Sequence, residues 1–260
     1  MYMPKKDIAW IWDTCIKFIY TEEYISGLNE FLKENNAKRI LDCSCGTGFP
    51  AIELKKSGFN IVCSDSSASM LKKFHRNCVK EGVEIESFKL DWRELNKKFD
   101  KEFDLVLCRG NSLPYVVSWD DGELNIAEAR NALIESIKSM FNVLNEKGIL
   151  YIDVPPREAF TPKTTTFIEK FPAQETNGKR TELTWRIKHD LINKIRYWKP
   201  EILIHNGLGL KEEISVELKG YHFSHSELIH YLKKAGFKRI DSYREIKGEK
   251  NYDVFLGFKE

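Results

Sequence analysis

At 260 residues, with 41 Lys and Arg against 39 Asp and Glu, the chain suits one α/β domain, or one with an elaborate insertion, and carries a net charge of only +2. That balance gives no argument for nucleic acid or an anionic membrane surface as partner, and 42% hydrophobic with 31% charged residues is a globular composition. No apolar run approaches the roughly 20 residues of a membrane span and the first seven residues lack a secretory apolar core, so a cytoplasmic protein is expected.

Six cysteines raise the question of metal or disulfide. Cys43, Cys63 and Cys108 fall at or near the ends of predicted buried strands, where cysteine acts as a small hydrophobe, and no paired C-x-x-C is present. They read as reduced core residues, and no metal site is predicted.

Lys6 to Tyr20 is rich in aromatics, Trp10 and Trp12 among them, and Thr21-Glu-Glu opens a second amphipathic segment through Leu28 and Phe31 to Asn36. Residues 1–36 are expected to be helical, either capping the end of a sheet or closing as a lid. Ile40-Leu41 ends an apolar strand, Asp42 closes it, and Cys43-Ser44-Cys45-Gly46-Thr47-Gly48 follows before a helix that stops at Gly58. Strand, glycine-rich turn and helix is the arrangement in which backbone N–H groups face a bound cofactor. Asn60 to Ser64 is the second strand and ends on Asp65, with Ser66 beside it; Ala68 to Lys80 is a helix. Val83 to Leu90 is the third strand, ending on Asp91-Trp92, and Phe103 to Cys108 the fourth, ending on Arg109-Gly110-Asn111-Ser112. A long helix over Glu123 to Leu144 leads to a fifth strand, Gly148 to Val154. Alternation at this spacing means a parallel, doubly wound sheet.

From Thr161 the pattern changes. Thr164 to Ile168, Thr181 to His189, Ile195 to His205 and Lys211 to Leu218 read as strands separated by turn signals, an antiparallel sheet inserted after the fifth strand. Ser224 with Glu227 three residues on is a capping-box signature for a helix ending at Gly236; Phe237 to Glu245 and Tyr252 to Phe258 close the core sheet as an antiparallel pair.

In such a sheet ligands lie beyond the carboxyl ends of the strands, so the signals at Asp42 to Gly48, Asp65, Asp91-Trp92 and Gly110-Asn111-Ser112 converge on one crevice. Gly46-Thr-Gly48-Phe-Pro-Ala51 also fits the G-x-G-x-x-A pattern of nicotinamide-dinucleotide enzymes. Asp42 followed by x-Ser-Cys-Gly-x-Gly instead resembles motif I of the class I S-adenosylmethionine (SAM) dependent methyltransferases. On that reading the turn with Ser44, Gly46 and Gly48 packs against the methionine and ribose, Asp65 takes the ribose hydroxyls, and Asp91 and Trp92 meet the adenine.

Asp42-Cys-Ser-Cys-Gly-Thr-Gly48, Asp91-Trp92 and Gly110-Asn-Ser112 together resemble the glycine and sarcosine N-methyltransferase group over roughly Trp10 to Asp153. The resemblance implies an α/β fold: a doubly wound Rossmann-like methyltransferase sheet, mostly parallel with an antiparallel last strand, an N-terminal helical cap and an inserted antiparallel sheet. Its parts would be residues 1–36 (cap), 37–157 (SAM-binding core), 158–220 (insertion over the substrate pocket) and 221–260 (last helix and closing strands). It further implies that Asn111 holds the substrate, that Arg109 contacts adenine through its backbone, and that Trp10 and the position of Tyr115 lie near SAM. Tyr197, Tyr221 and His222 would line the pocket under the insertion, and Tyr24, Tyr115 and His222 are candidates for positioning or proton removal.

Two departures stand out. The arginine that the group places before T-A-E-Y, for the SAM carboxylate, is Tyr20 here, and the group's D-H-R after the fifth strand is Asp153-Val-Pro-Pro-Arg157. Arg157, two positions displaced, is the candidate anchor for an acidic substrate group. The expected activity is methyl transfer to the nitrogen of a small amine or amino acid. The alternatives are an O, S or C nucleophile, or a nicotinamide-dependent oxidoreductase, and a homo-oligomer is left open.

Overall fold

The protein is described from a computed structural model covering residues 7–119, 124–160, 164–207, 209, 211–249 and 252–260. Two N-terminal helices, α1 (Ile8–Ile19) and α2 (Glu22–Glu34), precede the alternating core: β1 (Arg39–Asp42), α3 (Ala51–Lys56), β2 (Asn60–Asp65), α4 (Ala68–Glu81), β3 (Ser87–Lys89), α5 (Leu95–Lys98), β4 (Phe103–Cys108), α6 (Ile126–Val143) and β5 (Leu144–Val154). Next come β6 (Thr164–Lys170), β7 (Gln174–Thr176), β8 (Lys179–Asp190), β9 (Ile195–Asn206), β10 (Lys211–Ser215) and β11 (Leu218–Tyr221). The chain ends with α7 (His225–Ala235), β12 (Arg239–Arg244) and β13 (Asp253–Phe258).

The central sheet has the order β12-β13-β5-β4-β1-β2-β3, with β13 antiparallel to β5 and β12 antiparallel to β13. The chain direction of winding reverses between β1 and β4, which are parallel neighbours, so a crevice opens at their carboxyl ends. Alternate strand residues feed two cores, as the period of two requires. Leu41, Val106 and Leu150 pack with α6 and α7 on one face, while Ile40, Leu105 and Tyr151 pack with α2, α3 and α4 on the other. A third core joins α1 to the second sheet through Ile11, Trp185, Trp198 and Ile202. No helix among the described residues is long and apolar enough to cross a membrane.

Side chains set the helix starts: Asp7, Thr21 and Ser67 accept the N–H of Trp10, Tyr24 and Met70, and Ser224 with Glu227 completes a capping box on α7. Helix α6 starts at Ile126 behind the cap Asn125, and Glu123, the expected start, lies outside the described residues.

Three expectations are corrected. The third strand is only Ser87–Lys89, because Val83 closes α4 instead, its N–H reaching the Cys78 carbonyl around the left-handed Gly82. The short strand β7 is added on the edge of β8. The expected strand over Lys211 to Leu218 divides into β10 and β11, which share one register on β9. The break falls opposite Lys199-Pro200, where proline has no N–H to donate to the ladder. The second sheet therefore runs on to Tyr221.

Candidate functional site

The carboxyl ends of β1, β2, β3 and β4 open into a solvent-accessible cleft whose lining includes Ser44, Gly46, Asp65, Ser66, Asp91, Trp92 and Arg109. Four strand ends predicted to converge do converge. Asp65 shapes the floor: its carboxylate accepts the N–H of Gly46 at 2.8 Å and of Ser67 at 2.9 Å, which pins the turn after β1 to the start of α4. Ser44 ties β1 to β4, its Oγ accepting from the Arg109 N–H and donating to the Arg109 carbonyl. Trp92 faces the cleft with its indole N–H donated to the Cys43 carbonyl, so its ring is fixed. Asp91 lines the same side but is held by Arg93 through its backbone N–H, Nε and Nη2. Partial burial pushes the Asp91 carboxyl up, but those bonds outweigh it and leave the group below its ordinary range.

Gly46 has φ +53°, and a Cβ there would lie 3.1 Å from the Trp12 indole nitrogen. The turn and Trp12 thus form a cradle that a side chain would fill, the close backbone approach that a nucleotide-like cofactor requires. Asp42 lies fully buried beneath it, one oxygen accepting the Ser44 N–H and the other without a partner in the protein. Burial, opposed by Arg109 and that N–H, pushes the Asp42 carboxyl up to about 6. The glycine cradle, with the Asp65 carboxylate in the lining, fits a ligand carrying a ribose, whereas Asp42, expected in the cofactor site, supports the turn from beneath and does not line the cleft. Gly48 (φ +114°) stands behind, packed on Ile52 and Phe74, and serves the turn rather than the lining.

A second chamber adjoins the cleft. Trp12, Gly110, Tyr115 and Trp119 line both, and the second adds Asn111, Trp185, Arg196, Trp198 and Tyr252. Asn111 is therefore at the boundary. Its backbone is left-handed (φ +52°), as is that of Gly110 (φ +74°), and Asp153 at the end of β5 accepts both N–H groups. The amide orientation that sets no donor against a donor turns the Asn111 oxygen to Arg196, at 2.9 Å from Nη2 and 3.0 Å from Nε. Arg196 also donates to the Tyr115 hydroxyl at 2.7 Å.

Several expected residues fall elsewhere. Trp12, not Trp10, crosses the cleft, since positions two apart on α1 lie on different faces. Arg157 is exposed and stacks on the Tyr243 ring at 3.8 Å, its backbone N–H held by Asp253, so it lines neither chamber. Tyr221 is buried in the α6–α7 core with its hydroxyl near Glu227 and Tyr231. Tyr197 points to the outer face of the second sheet, under Lys188, because neighbours on a strand alternate and Arg196 points inward. His222 is buried with its Nδ1 3.4 Å from that of His189, behind Arg196 rather than in the lining. Burial and then Arg196 push His222 down to about 4 and His189 to about 2, so neither imidazole is a strong base. Tyr24 borders a separate cavity with Tyr20 and Tyr252, and burial drives its phenol well above its ordinary value. Tyr20 accepts from Arg109, whose guanidinium is buried between α1, α2 and the turn after β1.

Trp119, Trp198 and Arg196 were not expected at the site. A signal exists for the last: Arg196 occupies an inward position in β9, in register with Trp198 and Ile202.

Residues 40–136 match a protein-family profile described as a methyltransferase domain. A glycine/sarcosine N-methyltransferase of Halorhodospira halochloris is 32% identical over 155 residues, covering 52% of this chain and 54% of that one. The chain spans about half or less of the length of the first such relatives it matches. Among solved structures, Streptomyces venezuelae DesVI superposes with a TM-score of 0.76 at 14% identity, covering 99% of this chain and 100% of that one. SAM-bound CalS10, an amino pentose methyltransferase from Micromonospora echinaspora, superposes at 0.71 with 16% identity, covering 100% and 98%. At those identities the likeness establishes the fold alone.

Proposed function

We propose, from the premise that this chain carries a class I SAM-dependent methyltransferase domain resembling that of the glycine/sarcosine N-methyltransferases, that it methylates the nitrogen of a small amine or amino acid. The observation that carries the reading is Asn111, fixed at the boundary between the cofactor cleft and the second chamber. Asp65, Ser44 and the Gly46 turn would hold SAM, with Trp12 and Trp92 against its apolar parts. Bound SAM supplies an activated methyl group, whose bond to sulfur breaks as the acceptor nitrogen forms the new one.

The residues present favour alignment over base catalysis. An amine with a pKa 2–3 units above ambient must lose its proton at a cost of roughly 3–4 kcal/mol. Correct placement of two reactants can supply about 7–11 kcal/mol, more than enough to offset that. The phenols of Tyr24 and Tyr115 are pushed up by burial and so remain protonated, and the histidines are weak bases, which fits an acceptor deprotonated by solvent before it is enclosed.

A mass-shift screen with SAM and a panel of amines, alcohols, thiols and activated carbon acids tests this. A 14-dalton gain on nitrogen, lost in Asp65→Ala, is expected (a methyl replacing a proton, roughly 14 mass units, with alignment as the source of rate). Gain on oxygen, sulfur or carbon with none on nitrogen would overturn it.

A further inference from the structure

Arg196 is 4% exposed, and among the described residues it forms no ion pair with a carboxylate. A buried cation without a counter-charge is unfavourable unless a ligand supplies one. Of its five N–H groups, Tyr115 takes one from Nη1, and Asn111 takes one from Nη2 and that of Nε. One N–H on each terminal nitrogen is left, two donors of the kind that bind a carboxylate as a fork.

Two chambers meet at this guanidinium. The inner one contains Asn111; the outer, partly open to solvent, is walled by Pro155, Pro156, Phe167 and Ile187, and Trp185, Arg196 and Tyr252 line both. The polar groups on the outer chamber's lining are those of Arg196, the neutral His189, Tyr252, Trp185 and Glu169, which is exposed at the rim; the rest is apolar. A glycine-sized acceptor would leave those walls uncovered.

We propose that the acceptor is an amino acid with a bulky apolar side chain: its carboxylate on Arg196, its amine toward Asn111, and its side chain in the outer chamber. This rests on the reading of the chain as an N-methyltransferase, and it moves the anion anchor from Arg157 to the inserted sheet.

The test is calorimetry on protein saturated with S-adenosylhomocysteine, titrated with phenylalanine, leucine, glycine, sarcosine and phenethylamine. Phenylalanine or leucine is expected to bind at least tenfold tighter than glycine or sarcosine, and phenethylamine, which lacks the carboxylate, at least tenfold weaker than phenylalanine. Arg196→Lys should weaken phenylalanine at least tenfold, because an ammonium cannot reproduce the fork. It should leave phenethylamine and S-adenosylhomocysteine within twofold, the latter showing that the variant is folded. Ile187→Trp, which fills the outer chamber, should weaken phenylalanine and leave glycine unchanged. Equal binding of glycine and phenylalanine, equal binding of phenethylamine and phenylalanine, or no binding by any of the five overturns the proposal. If the pattern holds while SAM methylates no amine, the Arg196 site stands and the methyl-transfer reading fails; methylation of amines without regard to carboxylate or bulk has the opposite meaning.

Discussion

Asp153, at the end of β5, holds Asn111 in a left-handed conformation by accepting its backbone N–H at 2.5 Å, while its other oxygen takes the N–H of Gly110 at 2.8 Å. The ends of β4 and β5 are thereby joined at the boundary between the cleft and the second chamber. Bonds to a charged acceptor are worth about 1.5–3 kcal/mol each, and Asp153→Asn keeps one acceptor but turns an amide NH₂ on the other donor. Urea denaturation should show a loss of about 2–4 kcal/mol. Turnover should fall more than SAM affinity, and a variant as active as the wild type would show that the turn holds itself.

Trp12 spans the glycine turns after β1 and β4, 3.1 Å and 3.6 Å from where a Cβ would lie on Gly46 and Gly110. Trp12→Ala should weaken S-adenosylhomocysteine at least tenfold in calorimetry, whereas Trp10→Ala should change it less than twofold. The reverse ranking would return the role to Trp10.

Asp65→Ala removes the acceptor for Gly46 and Ser67 together with the carboxylate proposed to take the ribose hydroxyls. With two charge-assisted bonds to a ribose at about 1.5–3 kcal/mol each, SAM affinity should drop by roughly a hundredfold or more. Thermal shift with SAM reads this directly: retention of the full shift would place the ribose elsewhere.

Arg157 is expected to be a bystander to the chemistry. Its stacking on Tyr243 is surface-exposed, a contact worth about 0.5–1 kcal/mol. Arg157→Ala should lower stability by no more than that and leave the Michaelis constant of any carboxylate acceptor unchanged; a tenfold rise would restore the arginine to the site.

The buried histidine pair makes stability depend on pH. His222 is held neutral down to about 4 in the folded chain but takes up a proton near 6.5 when unfolded. Its folded-state value is the lower one, so its contribution is complete above 6.5 and is lost as pH falls toward 4. Between pH 7.5 and pH 5.0 wild type should lose about 2 kcal/mol relative to His222→Gln, 1.5 pH units below 6.5 at 1.36 kcal/mol each. Parallel curves for the two proteins would mean that His222 is solvated.

Much of this was legible in the sequence, because local rules and the global fold agree there. Gly46, Gly110 and Asn111 are residue types that accept a left-handed backbone, and Asp65 and Asp153 end strands where acceptors for turn N–H groups are needed. What was not legible depends on faces and on distant partners. Trp10 and Trp12 differ only in which side of α1 meets the sheet. Tyr197 and Arg196 are adjacent in sequence, and a shift of one residue in register exchanges cleft for solvent. Arg157 looked rigidly presented after two prolines, yet an aromatic ring 86 residues away, Tyr243, captures it.

Strand β9 carries Arg196 and Trp198 into the chamber that contains Asn111 while pairing with β8 along its whole length and with β10 and β11 on its other edge. None of these strands belongs to the sheet that forms the cofactor cleft. On the proposed reading, acceptor choice is written on a separate layer, joined to the cofactor layer chiefly through Trp12, Tyr115 and the Gly110-Asn111 turn. If that reading holds, substitutions along the inward register of β9 exchange one acceptor for another while the methyl donor stays the same, so substrate range diversifies without relearning the cofactor.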